Sequence, residues 1–138
     1  MPHIKHIVSI NTLADRIYRA LTTEKGLSSW WTPKVEIDSE VGGEAIFKFD
    51  HGYEKRMIID GLEPNSMVDW SCKAAVPEWI DTQIRFEIRA AENHSELHFF
   101  HCDWPQYSQQ YARCSYEWAM LLRSLKNYCE TGRCDPYQ

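Results

Sequence analysis

Apolar and polar positions recur along this chain with two different periods, and the change of period divides it into elements. From Gln106 to Thr131 the period is helical: Tyr107, Tyr111, Cys114, Trp118, Leu121, Leu122, Leu125, Tyr128 and Cys129 fall within an arc of roughly 120° on a helical wheel, the width of a core-facing stripe. At 1.5 Å per residue this predicts one helix of about 39 Å. Asp103 and Pro105 supply its start signal and Gly132 its stop; Met120 is the one large apolar residue off the stripe. A helix with so wide and aromatic a face needs a broad apolar partner, and the strands before it are the candidate.

Those strands show the two-residue period. His3 to Ile10 reads as a first strand with Ile4 and Val8 on one face. Thr12 then stands as an N-cap with Asp15 three residues on, and Leu13, Ile17, Ala20 and Leu21 carry a helix through Glu24 that Gly26 stops. A short helix from Leu27 to Trp31 follows, ended by Pro33. Beyond Lys34 the alternation returns: Val35 and Ile37, a turn at Gly42-Gly43, then Ala45, Phe47 and Phe49, a hairpin at His51-Gly52, and a strand from Tyr53 to Leu62. Pro64-Asn65 turns into Met67 to Lys73, with Val68, Trp70 and Cys72 on one face. Ile80, Thr82, Ile84, Phe86 and Ile88 alternate with charged or polar neighbours up to Ala90, and Glu92-Asn93-His94 turns into Ser95 to Cys102. One strand, two short helices, a meander of six strands and one long helix make an α+β chain, in which a twisted antiparallel sheet wraps the only helix long enough to cover it. No linker or repeat interrupts the 138 residues, so a single domain over 1–138 is expected.

Composition narrows the partners. With 15 Lys+Arg against 20 Asp+Glu, and signs interspersed, the charge of −5 disfavours nucleic acid and anionic membrane surfaces. No apolar run approaches the roughly 18 residues of a membrane span. Five cysteines without close pairs, and no leader-like apolar stretch, point to a reduced, cytoplasmic protein. The unusual quantity is ring content, with six tryptophans among 13% aromatic residues, more than a small core requires.

Several stretches together are similar to a known family. Ala14-Asp15-Arg16-Ile17-Tyr18-Arg19-Ala20-Leu21-Thr22, then Gly26-Leu27, Trp30-Trp31, Val41-Gly42-Gly43, Leu62-Glu63-Pro64 and the segment from Leu125-Lys126 to Gly132 resemble the START-like (SRPBCC) superfamily, in the branch related to the C-terminal domain of the activator of the ninety-kilodalton heat-shock protein ATPase. The resemblance implies a helix-grip fold, a curved antiparallel sheet clasping a C-terminal helix around an apolar cavity. Superfamily members include lipid carriers, polyketide cyclases, allergens and co-chaperones, so the fold does not fix the activity. No catalytic signature is common to them, and no catalytic residue carries over. A chaperone partner is disfavoured, because a co-chaperone normally carries further sequence beyond this domain.

Constellations of reactive residues were weighed in turn. His3 and His6, and His98, His101 and Cys102, are close in sequence, but strand residues three apart point to opposite faces, so no metal site is expected. Cys114 and Cys129 lie on the helix stripe and read as small hydrophobes. Gly42-Gly43 is too short to cradle phosphate, and no cofactor is expected. His101 continues the inward face of Leu97 and Phe99; a satisfied core histidine is favoured over a ligand-contacting or proton-transferring group. The reading is therefore a domain that binds a small apolar or aromatic molecule between sheet and helix, lined by Trp31, Phe47, Phe49, Trp70, Ile84, Phe86, Phe99, His101, Trp118 and Leu122. Two rivals stand beside it: a chaperone-associated interaction module, which needs an exposed patch, and a cyclase- or hydrolase-like enzyme, which needs polar groups converging inside.

Overall fold

The alternation through the middle of the chain becomes a seven-stranded antiparallel sheet in the computed structural model, which describes residues 1–137. Its strands are β1 (Ile4–Ile10), β2 (Lys34–Ile37), β3 (Glu44–Lys48), β4 (Glu54–Glu63), β5 (Met67–Ala74), β6 (Gln83–Ala90) and β7 (Ser95–Cys102). Helices α1 (Ala14–Thr22) and α2 (Glu24–Trp30) follow β1, and α3 (Gln109–Thr131) follows β7. Strands β2 to β7 run as a meander and β1 closes beside β7, giving the order β1-β7-β6-β5-β4-β3-β2. This is the α+β helix-grip arrangement, with two short helices after the first strand and the sheet curved around the long C-terminal helix.

Register explains why one face of the sheet is apolar. Ile84 lies opposite His101, Phe86 opposite Phe99 and Ile88 opposite Leu97, while Trp70 and Val68 lie opposite Ile84 and Phe86 on the next strand. Onto this face α3 lays Cys114, Trp118, Leu121, Leu122, Leu125 and Cys129, all buried. The outer face carries charges instead: Arg85 meets Asp69 and Glu87, and Arg89 meets Glu87, at 3.1–3.4 Å. Exposed pairs of this kind contribute little stability each. Phe100, on that outer face, lies beneath the Lys5 ammonium at 6.0 Å.

The free edge of β1 does not stay open. Tyr111 Oη donates to the His3 carbonyl at 2.9 Å, Lys126 Nζ donates to the Ser9 carbonyl at 2.6 Å, and the Asn11 amide donates to Glu130 Oε2 at 2.8 Å. His6 Nε2 reaches the Ser115 carbonyl at 3.1 Å. Side chains of α3 thus take the Ser9 carbonyl and the backbone groups of His3 and Asn11 that flank β1, and lay the helix against an edge that would otherwise invite strand addition.

Several sequence expectations shift. α1 starts after Leu13, not at a Thr12 cap, and Thr12 lends its carbonyl to Ser95 Oγ at 3.0 Å. Gly26 does not stop α1; it lies inside α2, whose N-cap is Thr23, its Oγ1 accepting from the Gly26 amide at 3.0 Å. A Cβ on Gly26 would stand 2.6 Å from Ala20 Cα, so glycine is there to let the two helices touch. α3 is capped by Ser108, whose Oγ accepts from the Tyr111 amide at 3.1 Å, and not by Asp103. Asp103 instead has φ of +69° and turns the chain so that Trp104 enters the core, leaving Tyr107 outside the helix and exposed. β6 begins at Gln83, because Pro77–Trp79 forms a turn of 3-10 helix and Asp81 takes φ of +71°; Ile80 is left 46% exposed.

Candidate functional site

The ten residues expected to line a cavity converge, with one exception. Trp31 stands 4.3 Å from Phe47 and 5.2 Å from Trp118, centroid to centroid; Trp118 stands 4.4 Å from Phe99, and Phe86 lies 5.2 Å from Trp70 and 5.3 Å from Phe99. Ile84 and Leu122 are buried in the same cluster. These edge-on and tilted contacts are the favoured geometry for aromatic pairs, and they fill the space between sheet and α3 with rings. Phe49 is the exception: it lies just past β3, partly buried, against Tyr53 at 5.6 Å.

His101 is fully buried and committed on both sides. The Trp118 indole donates to His101 Nδ1 at 3.0 Å, which leaves Nε2 to carry the proton. Nε2 faces Thr82 Oγ1 at 2.8 Å, and that hydroxyl donates onward to the Trp79 carbonyl. Direction is thereby fixed along the whole line, from Trp118 through His101 and Thr82 to Trp79. Burial, aided by the charge of Lys55, pushes the His101 pKa down to about 3, so the ring is neutral and structural. Both ring nitrogens of His101 are thus held by side chains, one from α3 and one from the turn before β6. The remaining histidines lie apart: His3 Nδ1 accepts the Asp103 amide and His98 meets Glu96. Among the described residues no three His, Cys, Asp or Glu side chains gather as metal ligands would.

Three residues that the sequence reading passed over complete the region. Trp104 packs against His101 at 4.9 Å and Tyr111 at 5.4 Å. Trp79 packs against Trp118 at 5.9 Å and donates its indole N–H to Cys114 Sγ at 3.2 Å. Lys55 is the third. Pairing of Lys55 with Phe47 and of Met57 with Ala45 puts Lys55 on the inward face of β4, in step with buried Met57 and Ile59. Its ammonium lies 3.8 Å from the Trp79 ring, 5.4 Å from Phe49 and 5.8 Å from Trp31. Burial lowers its pKa, opposed by the weaker influences of Cys114, Glu117 and Cys72. The parity of Lys55 with Met57 and Ile59 was the available signal; a lysine on a strand is ordinarily taken for the solvent side.

Phe49, Tyr53, Lys55 and Ile80 remain partly exposed, while Trp31 and Trp79, whose rings the Lys55 ammonium faces, are buried. The interior also holds donors without acceptors: among the described residues Trp70 Nε1 and Trp104 Nε1 are buried and unpaired. Buried donors of this kind are uncommon and call for an explanation. Elsewhere, a surface pocket of about 510 Å³ lies between α1, α2 and the end of α3, with Arg16, Arg19, Lys25 and Cys134 on its walls.

Comparison with known proteins agrees with this geometry. The model of the family described as "Activator of Hsp90 ATPase homolog 1-like protein" matches residues 11–130. The Aha1 dimer from Colwellia psychrerythraea, solved in solution, is 34% identical over 96% of this chain and 98% of that one, with a TM-score of 0.87. Protein SSP2350 from Staphylococcus saprophyticus shares the fold at 16% identity, covering 97% of this chain and 96% of that one with a TM-score of 0.82. CalU16 from Micromonospora echinospora does so at 18%, covering 97% and 77%, with a TM-score of 0.78. No curated protein matches the sequence.

Proposed function

Since the chain belongs to the activator of Hsp90 ATPase homolog 1-like family, within the START-like helix-grip fold, we propose that it binds a small apolar or aromatic molecule between its sheet and α3. The molecule enters where Phe49, Tyr53 and Ile80 are partly exposed and slides against Trp31 and Trp79. The observation that carries this reading is the Trp70 indole N–H, buried in the aromatic interior without an acceptor. An unpaired buried donor costs about 1–3 kcal/mol, which a ligand oxygen would recover. Rings that touch one another do not bar the way, because tryptophan and phenylalanine can swing aside at a mouth whose outer members are already half free. Catalysis is not part of the proposal: both nitrogens of His101 are engaged, by Trp118 and by Thr82.

Native mass spectrometry of protein purified gently from its own host tests the reading. The expected result is a population carrying one discrete small-molecule mass. Only the bare chain, together with no rise in unfolding midpoint from a panel of planar aromatic and fatty molecules, would overturn it.

A second reading has its own support. The solved chain of the Colwellia psychrerythraea Aha1 dimer, 34% identical to this one, is matched over 98% of its length. The interaction reading then places a chaperone on the outer surface. Its test is direct: the isolated chain should bind the ninety-kilodalton heat-shock protein and raise its ATPase rate, and an unchanged rate at saturating chain refutes it.

A further inference from the structure

The core-facing lysine on β4 tells more about the ligand than the rings do. Lys55 is on the inward side of its strand, its ammonium within 6 Å of the rings of Trp79, Phe49 and Trp31. Among the described residues it has neither a hydrogen-bonded acceptor nor an ion-pair carboxylate, although nine ion pairs decorate the rest of the surface. Contact with ring faces offsets part of the desolvation of an ammonium. It supplies no oxygen of the protein to the three N–H donors of this half-buried side chain. A half-buried ammonium that meets ring faces and no carboxylate is open to an anion arriving from solvent.

The surroundings narrow the class. The groups facing Lys55 from the packed elements are Cys114 and Glu117 on α3, Cys72 on β5 and the neutral His101 on β7; no second cation acts on it among the described residues. Cys72 and Cys114 are both pushed up in pKa by burial and stay neutral thiols. Glu117 is exposed on its helix. One positive charge, in a chain of net charge −5, matches one negative charge and no more. A phosphate dianion would bring an excess that nothing here neutralises. The rings around the ammonium select a flat apolar body beside that charge.

Resting on the groove-binding reading above, we infer that the site takes a planar aromatic monocarboxylate, its carboxylate paired with the Lys55 ammonium and its rings against Trp79, Trp31 and Phe49. Burial makes the pairing strong, because the attraction between opposite charges grows as water is excluded.

The experiment compares 2-naphthoate with its neutral relative 2-naphthamide by titration calorimetry at pH 7, on the wild-type chain and on Lys55→Met and Lys55→Arg. Naphthoate should bind wild type at least tenfold more tightly than naphthamide, Lys55→Met should erase that preference, and Lys55→Arg should retain most of it. Equal affinities for the two probes in wild type, or a preference that survives in a folded Lys55→Met, would overturn the carboxylate inference and leave groove binding standing. Failure of both probes to bind would overturn the inference of a planar aromatic monocarboxylate, while the groove reading is decided separately by the native mass and the wider panel. The wild-type comparison decides the matter even where a variant does not fold.

Discussion

Replacing Trp118 with alanine probes whether the interior between sheet and α3 is solid. Trp118 is 1% exposed and touches the rings of Trp31, Phe99, Trp79, His101 and Phe86 at centroid distances from 4.4 to 6.5 Å. Deleting a side chain packed on all sides typically costs about 3–5 kcal/mol, from lost transfer energy and from the void. A second loss adds to it here. Without the indole N–H, His101 Nδ1 has no donor, and an orphaned buried acceptor costs about 1–3 kcal/mol. The expected total is at least ~4 kcal/mol, which approaches the whole stability of many domains of this size. Trp118→Phe therefore belongs in the same experiment: it keeps most of the apolar contact and loses the hydrogen bond, for an expected ~1–3 kcal/mol. Urea unfolding followed by far-ultraviolet circular dichroism reads both variants without relying on the fluorophore that was removed, and equal slopes with denaturant confirm that midpoints can be compared. Planar apolar molecules should stabilise Trp118→Ala and wild type to different extents, since the variant offers them a larger space. A loss near ~1–2 kcal/mol for the alanine variant, below the packed-core range, would refute the picture of a filled interior.

Other consequences can be checked alongside. The His101 pKa falls from 6.5 to about 3 on folding, so the unfolded chain takes up a proton that the folded one refuses; its stabilising contribution is complete above pH 6.5 and is lost as pH falls toward 3, by about 1.4 kcal/mol per unit. At pH 4.5 the expected loss is roughly 3 kcal/mol, absent from His101→Gln, and parallel pH profiles for the two proteins would exclude it. Gly26→Ala should destabilise by about 1–3 kcal/mol despite alanine's better helix propensity, because the new Cβ meets backbone of Ala20 and Arg19 at 2.6–2.8 Å; an unchanged melting temperature would show that α1 and α2 separate easily. Burial pushes the thiols of Cys72 and Cys129 up to about 11 and about 12, while Cys134 is exposed. An aromatic disulfide reagent should thus label Cys134 first and the other two only on unfolding, and fast labelling of either would contradict their burial.

What the residues disclosed in advance follows from where the physics is local. The stripe of Cys114, Trp118, Leu121, Leu122, Leu125 and Cys129 was legible because helical period and burial coincide. The facing residues Phe86, Phe99 and Trp70 were legible because alternation and sheet register coincide. The start of α3 was not: Asp103 and Pro105 resemble a cap, yet the chain uses them to bend Trp104 inward, a demand set by the tertiary gap it fills. Gly26 misled for a similar reason, its purpose being contact between two helices and not termination of one. Ile80 followed the strand pattern in sequence while the turn before β6 rotated it outward. Within the site, the ring cluster could be read from spacing, but the line from Trp118 through His101 to Thr82 joins three elements, and no local signal encodes it. Lys55 was hidden by the ordinary expectation for its residue type.

The pairing of β1 with α3 has a kinetic side. The contacts that cap the β1 edge join residues 108 to 119 positions apart, and its only strand partner is β7. Loops of that length must close before any of these bonds form, which slows folding relative to a chain of local contacts. On the ribosome the segment Ile4–Ile10 emerges well before its neighbours β7 and α3. Until β7 has been synthesised, a β-prone run containing Ile4, Ile7, Val8 and Ile10 waits unpaired, and protection of that nascent segment falls to the cell and not to the fold.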